Sequence, residues 1–340
     1  MKKLLLLSII PYLIISQEVT TEYMLHDGLE RSYILYVPES YSNNTPVPLV
    51  LNLHGYSSNA GQQMIYSDFY NIAETEGFIL VHPEGTVDTN DFQFWNSGDI
   101  FEIDDVGFLS SLIDTITSEY NINTDRVYSM GMSNGGFMSY RLACELSDKI
   151  AAIASVTGSM STNQINSCNP TNPVPVMQIH GTTDPTVLYN GSAGIESIND
   201  VVLFWINHNS CNTQPVFNNI TDNNVIDLCT AEHYIYSDGE NGSSVELYKI
   251  INGGHTWPGA AIPFVGNNTN QDFSASEKIW EFFNKYNING LINNNSQIEH
   301  FETKKTILKT IDILGRYSNK KGTYINIYND GSVEKKQLLK

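Results

Sequence analysis

Short apolar runs alternate with longer amphipathic ones along most of this chain. Ser32–Val37 is β-rich and stops at Pro38, and Val47–Leu53 is an almost unbroken apolar run ending at His54-Gly55. Phe78–Val81, Asp125–Met130, Ile150–Val156, Val174–Ile179 and Val245–Ile250 repeat the pattern. Continuous apolar runs of this length predict strands covered on both faces, as in a mostly parallel sheet. The segments between them have helical spacing. Gly61–Glu76 puts Met64, Phe69, Ile72 and Ala73 on one side. Asp104 or Asp105 caps a helix carrying Val106, Leu109, Leu112, Ile113 and Ile116. Phe137–Leu146, Ile195–His208 and Ser274–Tyr286 complete the helical set. Strands and helices in alternation imply βαβ units and an α/β fold with helices on both faces of the sheet.

The ends of the chain depart from this rhythm. Residues 1–16 have a basic start, Met1-Lys2-Lys3, an apolar stretch from Leu4 to Ile15, and Ser16 before polar Gln17-Glu18. That is the pattern of a secretory signal peptide, too short for a spanning helix. Residues 17–288 hold the α/β pattern, and 289–297 form an Asn-rich linker. Residues 298–340 predict a small β module, with the strand Tyr324–Tyr328 and a hairpin turn at Asn329-Asp330-Gly331.

Composition removes several function classes. The formal net charge of −19, from 18 basic and 37 acidic residues, is the opposite of the basic footprint that nucleic acids require. It also argues against docking on anionic membranes. No segment after the leader is apolar enough to span a membrane. The four cysteines, Cys144, Cys168, Cys211 and Cys229, have no C-x-x-C spacing, so a zinc site is not expected. In an exported chain they predict disulfides. Of three possible connectivities, Cys144–Cys168 with Cys211–Cys229 closes the two shortest loops and is the one expected.

The chemistry centres on Gly131-Met132-Ser133-Asn134-Gly135-Gly136, placed between a strand and a helix. A G-x-S-x-G in that context is the nucleophile elbow of the α/β-hydrolase fold, which exposes a serine Oγ above the sheet. A serine is inert near neutral pH without a base, and the base needs a carboxylate to fix its tautomer. The order in this fold is serine, acid, histidine. Asp184, just past a strand end in His180-Gly181-Thr182-Thr183-Asp184-Pro185, is the expected acid. His255, in Gly253-Gly254-His255-Thr256-Trp257-Pro258, is the expected base. His180 is the main rival base, but its place at a strand end suits a framework hydrogen bond. His208, His233 and His300, and Asp200, Asp222, Asp227 and Asp238, are weaker rivals. The amides of Asn134 and of Tyr56, in His54-Gly55-Tyr56-Ser57, are the expected oxyanion donors. Trp95 and Trp257 are candidate cleft-lining aromatics. No metal is expected.

With Trp95-Asn96-Ser97-Gly98 and Asp104-Asp105-Val106-Gly107-Phe108 added to those motifs, residues 25–286 resemble the polyhydroxybutyrate depolymerase-like and feruloyl esterase group of secreted α/β-hydrolases. The resemblance implies cofactor-free hydrolysis of carboxylic esters by Ser133, Asp184 and His255, on a polyester, on feruloyl or acetyl esters of plant polysaccharide, or on small esters. It also supports the sequential disulfides. The tail is similar to the sorting domain of the type IX secretion system, through Ile311–Arg316, Lys321–Tyr324 and Lys335-Lys336. That similarity implies the secretion machinery as a partner and an extracellular or cell-surface location. A peptidase of the same fold, or a catalytically silent binding protein on this scaffold, are the alternative readings.

Overall fold

The computed structural model describes residues 18–98, 101–261, 268–292, 307–312, 323–328 and 333–337. The expected signal peptide and the Asn329–Gly331 turn lie outside the described residues. The chain divides into two compact units, one ending at Ile292 and the other beginning at Asn293.

In the first unit the strands of the main sheet are β1 (Glu18–His26), β2 (Leu29–Val37), β3 (Val47–Leu53), β4 (Ile79–Pro83), β5 (Ile122–Met132), β6 (Ala152–Val156), β7 (Val176–Gly181), β8 (Val216–Asn219), β9 (Thr230–Tyr236) and β10 (Val245–Ile251). They form one ten-stranded sheet in the order β1-β2-β4-β3-β5-β6-β7-β10-β9-β8. The six strands from β4 to β10 in that order are mutually parallel. Antiparallel hairpin ribbons border them, β1–β2 on one side and β9–β8 on the other. This mostly parallel sheet, with helices on both faces, is an α/β-hydrolase fold.

The helices are α1 (Ala60–Ser67), α2 (Tyr70–Glu76), α3 (Asp105–Glu119), α4 (Asn134–Glu145), α5 (Thr162–Ser167), α6 (Ile198–His208) and α7 (Ala275–Phe283). Strand side chains alternate between faces, so two cores result. Leu49, Leu51 and Leu53 pack with Phe108 and Leu112 of α3, Met138 of α4 and Trp205 of α6. Val50, Leu80 and Met130 face the other way, onto Ala73 of α2 and Ile279, Phe282 and Phe283 of α7. The single helix expected over 61–76 is two. Asp68 adopts φ 44°, ψ 47°, a left-handed cap that ends α1.

The cysteine expectation is half right. Cys144 and Cys168 are bonded, joining the end of α4 to the end of α5. Cys211 and Cys229 are separate buried thiols, which corrects the second expected bridge. Cys229 immediately precedes β9, whereas the amide of Asn212 is paired with the Ser237 carbonyl just past the strand's far end. The whole of β9, roughly 20 Å at about 3.4 Å per residue, therefore separates them. Burial pushes their thiols up, to about 11 and about 12. Short loop length was a poor guide because the intervening chain runs back along β9 as the strand β8.

In the second unit, β11 (Ile307–Asp312), β12 (Thr323–Tyr328) and β13 (Val333–Gln337) make a three-stranded antiparallel sheet.

Candidate active site

Parallel strands deliver their carboxyl ends to one edge of the sheet, and loops from that edge build the site. β5 ends at Met132, and Ser133 follows with φ 52° and ψ −119°, a backbone conformation that residues with a Cβ rarely adopt. Two glycines leave room for this turn. A Cβ on Gly131 would sit 2.4 Å from the backbone carbon of Gly135, and one on Gly135 would sit 2.2 Å from the Leu53 carbonyl oxygen of β3. The Ser133 amide donates to the Val156 carbonyl at 2.8 Å, tying the elbow to β6. Its side chain does not cap α4, which leaves the Oγ for other work.

The loop after β3 lies against this serine. A Cβ on Gly55 would stand 3.5 Å from the Ser133 Cβ. Buried His54 fixes the loop. Its Nδ1 bonds the Gly55 carbonyl at 2.8 Å, and its Nε2 accepts from the Gly85 amide at 2.9 Å. Trp95 braces the same loop, donating from Nε1 to the His54 carbonyl at 3.0 Å. The Asn134 side chain in turn brackets the Trp95 backbone, accepting from its amide at 2.6 Å and donating to its carbonyl at 3.0 Å. Below, a buried Arg31–Asp105 pair at 2.7 Å also holds the Asn96 amide through the second carboxylate oxygen.

Past β7, Asp184 is buried and its carboxylate fully engaged. One oxygen accepts from the amides of Thr186 and Val187 at 2.8 and 2.9 Å. The other takes Nδ1 of His255 at 2.8 Å. Burial alone would raise this carboxyl. Hydrogen bonds from His180 and His255, with their charge, outweigh it and hold Asp184 well below the usual carboxylate range.

His180, the rival base, is fully buried and built into the framework. Its Nε2 lies 2.8 Å from the Val187 carbonyl and 3.3 Å from the second Asp184 oxygen, so its one proton there goes mainly to the carbonyl. Its Nδ1 faces Gln178 Nε2 at 3.0 Å. Gln178 also donates to the Gly158 carbonyl at 2.9 Å and accepts from Tyr140 of α4 at 2.6 Å. Buried side chains thus connect the elbow helix to the Asp184 loop.

Ser133 and His255 line one cavity of about 410 Å³, together with Gly55, Tyr56, Met132 and residues of α1. Asn134 opens α4, where the first amides have no intrahelical acceptor. Trp95 and Trp257 correct the sequence expectation, because each is only 1% exposed and neither lines the cavity. Trp257 donates from Nε1 to Ser276 at 3.0 Å and, from its amide, to the Tyr66 hydroxyl at 3.0 Å. The cleft walls that sequence reasoning missed are Gln62, Gln63, Ile65 and Tyr66 on and beside the inner face of α1. No motif marks them; only the place of α1, directly after the His54-Gly55 loop, could have. Among the described residues no group of three or more side chains could hold a metal ion.

A family model described as esterase PHB depolymerase matches residues 31–214, more than half of the chain. This chain belongs to the esterase PHB depolymerase family. It is 32% identical over 173 residues to a bifunctional acetylxylan esterase/xylanase of Neocallimastix patriciarum, covering 51% of this chain and 24% of that one. It is 29% identical over 237 residues to feruloyl esterase B of Piromyces equi, covering 66% of this chain and 42% of the relative. The chain therefore spans less than half the length of both relatives. Among solved structures, the acetyl xylan esterase of Aspergillus awamori superposes with a TM-score of 0.56 at 15% identity, over 78% of this chain and 99% of that one. At that identity the likeness speaks to the fold.

Proposed function

We propose that this member of the family is a serine carboxylic-ester hydrolase working through an acyl-enzyme. The observation that carries the reading is the Asp184–His255 bond at 2.8 Å, with His255 facing the same cavity as the elbow serine. Asp184 orients His255 through Nδ1, which leaves Nε2 as the base. Ser133 Oγ attacks the ester carbonyl while His255 takes its proton. The tetrahedral oxyanion is held by the amides of Tyr56 and Asn134, each donor worth about 3 kcal/mol in the transition state. His255 passes the proton to the leaving alcohol, and water then releases the acid by the same steps. The carbonyl needs no Lewis acid in this scheme.

The alcohol side is read as plant polysaccharide rather than polyester, because the relatives' names are acetylxylan and feruloyl esterases. Work outside the cell is supported by the Cys144–Cys168 bond, which persists in oxidising compartments. A hydrolysis panel of methyl ferulate, acetylated xylan, short p-nitrophenyl esters and polyhydroxybutyrate tests the reading. Turnover of the first three is expected, and Ser133→Ala should lower kcat by ~10⁵ or more. Inertness towards every ester, or faster cleavage of aminoacyl amides, would overturn it in favour of a silent scaffold or a peptidase.

A further inference from the structure

A short hairpin is bonded to Tyr56, one of the residues that line the catalytic cavity. Its strands are Thr86–Val87 and Gln93–Phe94, and its base leads into Trp95, which the Asn134 side chain brackets. At its tip Asp88 acts as a hub. One carboxylate oxygen accepts from the amides of Asn90 and Phe92 at 2.8 and 3.0 Å, and the other accepts from the Tyr56 hydroxyl at 2.7 Å. The Ser57 amide bonds the Gln93 carbonyl at 2.9 Å. The hairpin is therefore tied to the elbow at its base and to the oxyanion loop at its tip. Two aromatic rings are held open to solvent by this arrangement. Tyr56 is 48% and Phe92 47% exposed, with ring centroids 5.7 Å apart.

We propose that Tyr56 and Phe92, their ring planes tilted 56° apart, form an angled aromatic platform for neutral sugar on the alcohol side of the ester. This rests on the ester-hydrolase reading of Ser133. The acyl group becomes bonded to the serine and so lies in the cavity of about 410 Å³ that Ser133 lines. The alcohol side leaves, so it is the part free to extend outward, past Tyr56, which lines the cavity and is exposed to solvent. Exposed aromatic faces take the C–H faces of sugar rings, and large aromatics left in solvent beside a cleft mark a binding site. Fixing the rings beforehand removes the ordering cost of binding. Asp88, bonded to the Tyr56 hydroxyl, and Asn90, bonded to Asp88, put groups that accept and donate to sugar hydroxyls beside the rings, for which an aliphatic polyester has no use. The same carboxylate, on a chain of net charge −19, repels uronic acids and selects neutral sugars.

The test compares two acetyl esters with the same acyl group, acetylated xylan and methyl acetate. For Phe92→Ala the ratio of kcat/KM on xylan to that on methyl acetate should fall about 10-fold. Separately, Ser133→Ala protein should bind deacetylated xylohexaose by calorimetry, and adding Phe92→Ala should weaken that binding by a similar factor. An unchanged ratio, equal binding by the two proteins, no binding by either, or a larger loss on polyhydroxybutyrate than on xylan would overturn the platform. A wild-type protein that cleaves neither acetyl ester sinks the parent reading instead, and the xylohexaose measurement reports on the platform independently.

Discussion

The proposed nucleophile, Ser133, and its proposed acid–base partners are held in place by different physics. Around Ser133 the constraint is steric and belongs to the backbone. Glycines leave no room for a Cβ at Gly131 and Gly135, and the serine itself is forced to φ 52°. Around His255 it is polar and belongs to side chains, running from Tyr140 through Gln178 and His180 to Asp184. Steric placement is all-or-none, whereas a hydrogen-bonded chain can be weakened link by link. Substitutions should therefore abolish the serine's side of the site but grade the acid–base side.

After the loss expected for Ser133→Ala, the next largest effect is on the acid. Asp184→Asn should leave the fold intact yet lower kcat by about 10⁴, because the amide favours the wrong His255 tautomer. A loss below 10-fold would mean that another group orients the base. The depressed Asp184 carboxyl stays ionised through the working range, so activity lost just below neutrality would not come from its protonation.

A second buried histidine sharpens the contrast. His180 is bonded at both ring nitrogens, whereas fully buried His82 has no hydrogen-bond partner at either among the described residues. Burial lowers the His82 pKa from 6.5 to about 3. Between those values the unfolded chain binds the extra proton, so stability rises with pH across this window and is lost as pH falls through it. The loss by pH 3 is on the order of 4 kcal/mol. The urea midpoint of wild type should fall relative to that of His82→Leu as pH drops through that window; parallel curves would remove His82 from the acid response.

The cysteines give a smaller effect. Cys144→Ser with Cys168→Ser should cost about 3 kcal/mol by freeing the unfolded chain. Cys211→Ser with Cys229→Ser removes no disulfide and should cost less. Equal losses in thermal melts under oxidising conditions would contradict the thiol assignment. Smallest, His180→Gln should lower kcat about 10-fold with little change in KM, since it loosens Asp184 without removing it. A change confined to KM would place His180 with substrate binding rather than with the acid.

The same division explains what could be read from the sequence. The parallel core was legible because strands buried on both faces are apolar throughout, as in Val47–Leu53. The elbow was legible because its sterics demand glycine at fixed spacing. Of the sheet's antiparallel borders only β2 was. In β1, Tyr23 and Leu25 face solvent, and β8 is exposed along its length, so neither strand carries a burial pattern. The structure brings Ser133, Asp184 and His255 to one edge in the expected order. The two tryptophans were misassigned because an aromatic beside a catalytic motif can brace the loop rather than line the cleft. Trp95 holds the His54 carbonyl and Trp257 holds Ser276, both from within the core. The cleft wall on α1 depends on contacts between distant segments, such as Tyr66 with Trp257, that no local pattern encodes.

The central claim, that Ser133 is the attacking group, is tested most directly by intact-mass spectrometry after incubation with a fluorophosphonate. The account predicts one adduct per chain, mapped to the peptide containing Ser133 and absent from Ser133→Ala. Ester turnover by a protein that takes no label there, or takes it on another residue, would contradict it.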